Sequence, residues 1–269
     1  MTFDMTAAWR EATAMISANR EVMLTVAGIF FLLPALLLGF STPAIPMMVG
    51  TPEVMQAEMA AFYRSYGWLY ALTFMVQIVG YLALLALLRD RRRPTVGEAI
   101  SAALRGLLPA VGTVLVLAIA FTMVVIAAAL LMALLGAGGA AALLGMVLMP
   151  ALVWLLVRVS LWQPVIAIDR VANPIRVIGR SWALTRGNGL RLFVFYLLLF
   201  IAYIVVSIVI GLVASGLLLA LGETAALIVG AIVSGLIGTV AAVIFVAVLA
   251  AVHRQLAGQP ATEVRDTSA

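Results

Sequence analysis

The chain has 269 residues, of which 65% are hydrophobic and only 10% are charged, and its formal net charge is +5. A soluble domain has about 25% charged and about 45–50% apolar residues, so this composition excludes an ordinary soluble protein. Cysteine is absent, which excludes disulfides and thiol chemistry. In so apolar a chain, the basic balance favours anionic lipid headgroups over nucleic acid as partners.

Six apolar runs are long enough to cross a hydrocarbon core of about 30 Å as helices. They cover about 22–40, 67–88, 109–135, 141–164, 192–221 and 225–252. We therefore expect an all-α polytopic membrane helix bundle with six transmembrane helices, organised as a single membrane domain over residues 1–269. The polar tail at 259–269 is expected to be disordered.

Arginine residues predict the orientation of these spans. Six spans place both termini on one side, and Arg64 is the only arginine expected on the other side. The positive-inside rule therefore predicts a membrane protein with both termini in the cytoplasm. The arginine-rich run at 89–93 is either an orientation signal or, together with Arg176, Arg180 and Arg186, an anionic-lipid site.

A polar segment with helical periodicity precedes each outward-going span, at about 5–19, 95–107 and 174–186. Thr95 and Glu98 have the spacing of a capping box, and Asn173 is a good N-cap. Trp9 and Trp182 suit the membrane–water interface, where an apolar ring can keep its N–H hydrated. These patterns predict three cytoplasmic amphipathic interfacial helices. The recurring unit reflects either an internal triplication or the usual basic character of cytoplasmic loops.

The join of the fourth and fifth spans reads LWQPVIAIDRVANPIRVIGRSWALTRGNGLRLFVFYLLL. It resembles the signature of the bacterial glycerophosphodiester phosphodiesterase membrane-domain family, which has stand-alone YciC-like relatives. The matching positions are Pro164, Asp169, Ser181, Trp182, Leu184, Thr185, Arg186, Gly187 and Asn188. The resemblance implies a stand-alone inner-membrane protein tied to envelope or lipid homeostasis. Phosphodiesterase activity is not expected, because the chain ends soon after the sixth span without the catalytic barrel.

Candidate residues for binding a lipid or anion surround this join: Arg158, Arg176, Arg180, Trp182, Arg186, Asn188 and Arg191. Arg158 is the only charged residue inside a predicted span. It either extends towards the headgroups or binds a lipid phosphate or a buried partner. Arg186 and Arg191 flank the turn of Gly187, Asn188 and Gly189, whose backbone N–H groups are able to hold a phosphate oxygen.

Small residues recur at every fourth position in the last two spans: Ser207, Gly211, Ser215, Gly230, Ser234 and Gly238. This spacing predicts close packing of the two helices, with a ligand groove or a dimer seam as the alternative. His253 is expected at the surface beside Arg254, and not as a metal ligand. The sequence contains no catalytic motif and no metal-ligand cluster, so no catalytic residue, metal or cofactor is predicted.

These patterns favour a non-enzymatic protein that binds or organises lipid, or that scaffolds an envelope complex. Its expected partners are membrane lipids with anionic headgroups, and either an envelope protein or a second copy of the chain. The main alternative is a transporter or channel for a lipophilic or small solute. Acids, the usual mark of proton- or ion-coupled transport, are absent from the spans. A lipid-modifying enzyme that uses arginines and Asp169 is the least favoured interpretation.

Overall fold

The computed structural model describes residues 2–43, 51–89, 95–135, 139–218 and 222–258. Within these ranges the regular structure is entirely helical, which confirms the predicted all-α class. The predicted disordered tail, the middle of the turn after the third span, and Arg91, Arg92 and Arg93 lie outside the described residues.

Six helices are long and apolar enough to cross a membrane, as the sequence predicts. The first is α1 (Met5–Ala27), which continues through a π-helical turn (Gly28–Leu32) into α2 (Leu33–Ser41). The other elements are α3 (Pro52–Arg89), α4 (Val96–Leu135), α5 (Gly139–Val159), the short α6 (Trp162–Ala167), α7 (Pro174–Thr185), α8 (Gly189–Leu218) and α9 (Glu223–Leu256).

Two local features shape the first long helix. Asn19 leaves the helical region, with φ −125° and ψ 17°, and so marks a kink at the end of the predicted surface segment 5–19. The π-helical turn comes directly before Pro34. Proline cannot donate to the preceding turn and crowds its carbonyl, so a local widening at this point accommodates the ring.

The three predicted surface segments differ in how far they separate from the spans. Thr95 and Glu98 form the capping box, with Thr95 N–H donating to Glu98 Oε2 at 2.8 Å. However, α4 then continues without interruption through Pro109, so no separate helix covers 95–107. Only α7 among the three segments is a helix of its own in the described chain, and Asn173 caps it by accepting from the backbone N–H groups of Ile175 and Arg176.

The core lies at one end of the bundle, around the last turns of α9. Residues 246–253 of α9 are fully buried, and they pack against α1 and the similarly buried C-terminal part of α3. The backbone N–H of Asp4 donates to Gln255 Oε1 at 3.3 Å, so the two described chain ends meet here. We call this the terminal end of the bundle. In contrast, α8 exposes most of its apolar side chains, as expected of a lipid-facing helix.

The prediction that these small residues pack the last two spans closely together is wrong. A Cβ built on Gly211, Gly230 or Gly238 meets no atom within 4 Å, and both Ser215 and Ser234 are exposed. Ser207 is half-buried.

The close contacts of α9 are instead with α2 and the π-helical turn, and they use the adjacent face of α9. A Cβ on Gly39 of α2 would lie 2.9 Å from Ala231 Cβ, and a Cβ on Gly235 would lie 3.3 Å from Leu32 Cδ1. One residue rotates a helix face by about 100°, since a turn takes 3.6 residues. Small residues occupy two adjacent faces of α9, so their spacing alone did not identify the face that packs.

Candidate functional site

Arg254 joins three helices at the terminal end. Its guanidinium donates to the carbonyl oxygen of Leu88 in α3 and lies 3.3 Å from Glu11 Oε1 in α1. The C-terminal carbonyl groups of a helix lack partners within that helix, so this contact satisfies one of them. Arg254 is thus part of the protein's own packing.

The structure places the predicted lipid-binding residues at the join of the fourth and fifth spans in different environments. Arg176, Arg186 and Arg191 are exposed. Arg180 instead pairs with Asp169, with its Nε 3.3 Å from Asp169 Oδ2. Asn188 is buried, and its Oδ1 accepts from the backbone N–H of Phe3 at 2.9 Å.

Arg158 lies beside two tryptophan rings, one of which, Trp154, is exposed. Its guanidinium carbon lies 4.8 Å from the ring centroid of Trp154 and 5.4 Å from that of Trp182. Nε and Nη1 are buried and have no hydrogen-bond partner among the described residues. The two indole rings, which meet edge-on at 5.2 Å, therefore stabilise this charge through cation–π contacts.

The backbone at Arg158 is held by α7. Its carbonyl oxygen accepts from Ser181 Oγ at 3.0 Å and from Thr185 Oγ1 at 3.2 Å, while the Leu161 N–H donates to Ser181 Oγ at 3.2 Å. Since α5 ends at Val159, these hydroxyls satisfy backbone groups that the helix end leaves without partners. Ser181 and Thr185 thereby fix α7 against the end of α5.

A cavity of about 450 Å³ lies between the end of α3, the start of α4, and α6 with the loop that follows it. Three arginines contribute to its lining: Arg89, Arg105 and Arg170. The other lining residues are apolar or glycine, including Leu82 and Ile166, and no acidic residue lines the cavity among the described residues. The cavity is therefore lined by three arginines and an otherwise apolar wall.

These three arginines come from separate parts of the chain. Arg89 is the last residue of α3, and Arg105 lies on an exposed side of α4 near its start. Arg170 lies in the loop between α6 and α7 and has φ +56°, in the left-handed region that residues with a Cβ rarely adopt. Neither Arg105 nor Arg170 is among the site residues predicted from the sequence, because only the packing of α3, α4 and α6 brings them together.

His253 lies in the core, so its predicted surface position is wrong. Its side chain is fully buried, with Nε2 3.1 Å from Asp169 Oδ1. Proximity to Arg254 suggested a polar helix end, but α9 continues to Leu256 and turns His253 towards α6 and α7. A pair so far apart in the chain leaves no local sequence pattern from which it could be predicted.

No family model matches the chain, and no curated protein or solved structure gives a match. Membership of the phosphodiesterase membrane-domain family therefore stays a prediction based on the residues at the join of the fourth and fifth spans. Three arginines thus line one partly apolar cavity, and no group of three metal-ligating side chains occurs among the described residues.

Proposed function

We propose that this protein is a non-enzymatic membrane protein that binds an anionic phospholipid in the arginine-lined cavity. The supporting observation is the lining itself, in which Arg89, Arg105 and Arg170 share one cavity with an apolar wall. In this proposal the guanidinium groups bind the lipid phosphate, and the apolar wall contacts the glycerol and the first acyl carbons.

Two physical considerations favour a phosphate over a neutral ligand. Guanidinium groups present planar arrays of donors that match phosphate oxygens, and these charge-assisted bonds are among the stronger hydrogen bonds in proteins. Like charges around one cavity also repel each other, so an anion beside Arg105 and Arg170 lowers the energy of the site. The volume of about 450 Å³ falls within the range of about 300–1,000 Å³ that is usual for small-ligand sites.

We further propose that the chain lies in the bacterial inner membrane with its terminal end in the cytoplasm. The two described chain ends meet at this end, and Arg254 and the cavity arginines are close by. Cytoplasmic loops of membrane proteins carry an excess of arginine, and the cytoplasmic leaflet is rich in anionic lipid. In this orientation the cavity opens near headgroup level, where a lipid can enter it.

Lipid retention measured by native mass spectrometry tests the proposal. The protein is purified in a mild detergent and exposed to phosphatidylglycerol or to zwitterionic phosphatidylcholine. We expect the double substitution Arg105→Glu with Arg170→Glu to weaken phosphatidylglycerol binding at least about tenfold, because it replaces attraction with repulsion at the phosphate. Binding of phosphatidylcholine should change much less.

The matched control is Arg176→Glu with Arg186→Glu. It changes the net charge equally at two exposed arginines that do not line the cavity. Equal losses in the two double variants would show that lipid responds only to overall charge, and retained binding in both would contradict the cavity site. Solute flux in proteoliposomes would favour the transporter alternative instead.

A further inference from the structure

We propose that Asp169 is a positioning residue for the lipid site, because it holds the loop that carries Arg170 at the cavity. This inference rests on the proposed lipid-binding function. It assigns a role to the contact between Asp169 and His253, neither of which lines the cavity.

The Asp169 carboxylate connects two helices that surround the loop. Oδ1 lies 3.1 Å from His253 Nε2 on α9, and Oδ2 lies 3.3 Å from Arg180 Nε on α7. His253 is fully buried, whereas the Arg180 side chain is about half exposed, at 49%. Arg180 Nε also donates a hydrogen bond to Oδ2, whereas His253 Nε2 is in close polar contact with Oδ1 without hydrogen-bond geometry. The carboxylate thus contacts two different helices.

Other charges near His253 have their own partners. Arg254 follows it on α9 and lies against Glu11 and the Leu88 carbonyl. Asp169 is therefore the acidic group beside His253 in the described structure, and the carboxylate offers it a polar contact inside the core. A buried imidazole without a polar neighbour is unfavourable, so the contact with His253 stabilises Asp169 in this position.

The next residue needs such support. Arg170 has φ +56°, and a residue with a Cβ keeps this conformation only where the surroundings impose it. On the far side of Arg170, the Val171 N–H donates to the Val165 carbonyl at 3.4 Å, and Val171 and Ala172 line the cavity. Arg170 is thus held between two attachments, with its side chain in the cavity lining.

Removal of the Asp169 charge distinguishes positioning from simple electrostatics by the sign of the effect. Asp169→Asn makes the region more positive, so long-range electrostatics alone predicts tighter binding of an anionic lipid. Loss of positioning predicts the opposite, because Arg170 can then relax to an ordinary φ and leave the cavity. We expect Asp169→Asn to weaken phosphatidylglycerol binding about tenfold, within the usual size of couplings between contacting residues.

A double-mutant cycle tests whether the effect passes through Arg170. In an Arg170→Ala background, Asp169→Asn should change phosphatidylglycerol affinity by less than about twofold, whereas in an Arg105→Ala background the tenfold loss should persist. A tenfold loss in both backgrounds would overturn the inference, because it would indicate a general structural effect. Tighter binding in Asp169→Asn would overturn it as well.

A second measurement needs no lipid and uses the absence of native cysteine. Val171→Cys supplies a single thiol in the loop, and its maleimide labelling is followed in lipid-free detergent with and without Asp169→Asn. We expect labelling to accelerate about tenfold, since the loop opens more often once its attachment is lost. Labelling of a buried control, Ala12→Cys in α1, should not change.

The two measurements separate the inference from the proposed function. Unchanged labelling at Val171 in the Asp169→Asn variant would overturn the positioning role, whatever the lipid results. Faster labelling at Val171 would support the positioning role of Asp169 in the loop. If the unaltered protein then bound no phosphatidylglycerol, the lipid-binding function would be rejected while the positioning role remained. Equal acceleration at Ala12 would count against the inference, because it would indicate general unfolding.

Discussion

Among the described glycines, Gly80 is the one where an added Cβ would meet the shortest contact, so Gly80→Ala is a sharp test of the helix packing. A Cβ on Gly80 of α3 would lie 2.6 Å from Phe30 Cβ in the π-helical turn. It would also lie 3.0 Å from Cε2 and Cζ of Phe31. The nearest atom belongs to the part of Phe30 that cannot rotate away, so the main chain of one helix has to move.

The magnitude follows from the size of that movement. Carbon atoms in contact prefer separations of about 3.5–4.0 Å, so α3 and the π-helical turn have to separate by about 1 Å. Forcing an extra carbon into a packed core usually costs about 1–3 kcal/mol. Replacing glycine by alanine inside a helix returns about 0.5–1 kcal/mol. Because Phe30 Cβ cannot rotate away, the upper part of this cost applies, about 2–3 kcal/mol, and we expect a net loss of about 1–2 kcal/mol in the free energy of unfolding.

Thermal unfolding in detergent, followed by size-exclusion fluorescence, measures this loss. For a chain of this size we expect Gly80→Ala to lower Tm by about 2–8 °C. Gly238→Ala in α9 is the control, because its Cβ meets open space and the substitution should leave Tm unchanged or raise it. A Tm for Gly80→Ala equal to or above that of the unaltered protein would refute the close approach of α3 to the π-helical turn.

Three further predictions concern charged groups and the cavity. Arg254→Ala should reduce the free energy of unfolding by about 1–3 kcal/mol, because it leaves the Leu88 carbonyl and Glu11 without this partner. Denaturant unfolding measures this, and exposed Arg176→Ala should stay within about 0.5 kcal/mol of the unaltered protein. Arg158→Gln removes the contacts with Trp154 and Trp182, and should cost about 1–2 kcal/mol and change tryptophan fluorescence; an unchanged spectrum would contradict the stacked geometry. Ala172→Trp should obstruct the cavity and reduce phosphatidylglycerol retention about tenfold at constant Tm, whereas exposed Gly179→Trp, outside the cavity lining, should not.

Hydropathy predicted the six long helices because a membrane span needs a long apolar run, and such a run is a local property of the sequence. Capping at Thr95 and Asn173 was also predictable, since each cap involves residues a few positions apart. The packing face of α9 was not predictable in this way. Gly235 and Gly238 are both glycines, so the sequence does not distinguish them. Only the position of the neighbouring helices shows that Gly235 lies in a close contact and Gly238 does not.

The candidate site depends even more on contacts between distant residues. The basic residues at the join of the fourth and fifth spans cluster in the sequence, yet Arg176, Arg186 and Arg191 are exposed and do not line the cavity of about 450 Å³. Arg105 and Arg170 are isolated arginines in the sequence, and they meet only when α4 and α6 pack together. Sequence clustering thus predicted a basic surface, while the cavity needed the tertiary structure.

The residues that suggested a family resemblance have structural contacts that explain their positions without any ligand. Ser181 and Thr185 satisfy the end of α5, Asn188 binds the backbone of Phe3, and Asp169 contacts His253. Each contact joins the α6–α8 region to a different helix or to the chain start.

A region tied at so many points can hold a neighbouring residue in an unfavourable conformation, and Arg170 is such a residue. We therefore propose that Arg170 binds the lipid, while neighbouring residues of the family signature, such as Asp169, position it. If this division is correct, a substitution such as Ser181→Ala should lower Tm before it affects lipid selectivity, whereas Arg170→Ala should do the reverse. A Ser181→Ala variant with unaltered Tm and lost phosphatidylglycerol preference would contradict it.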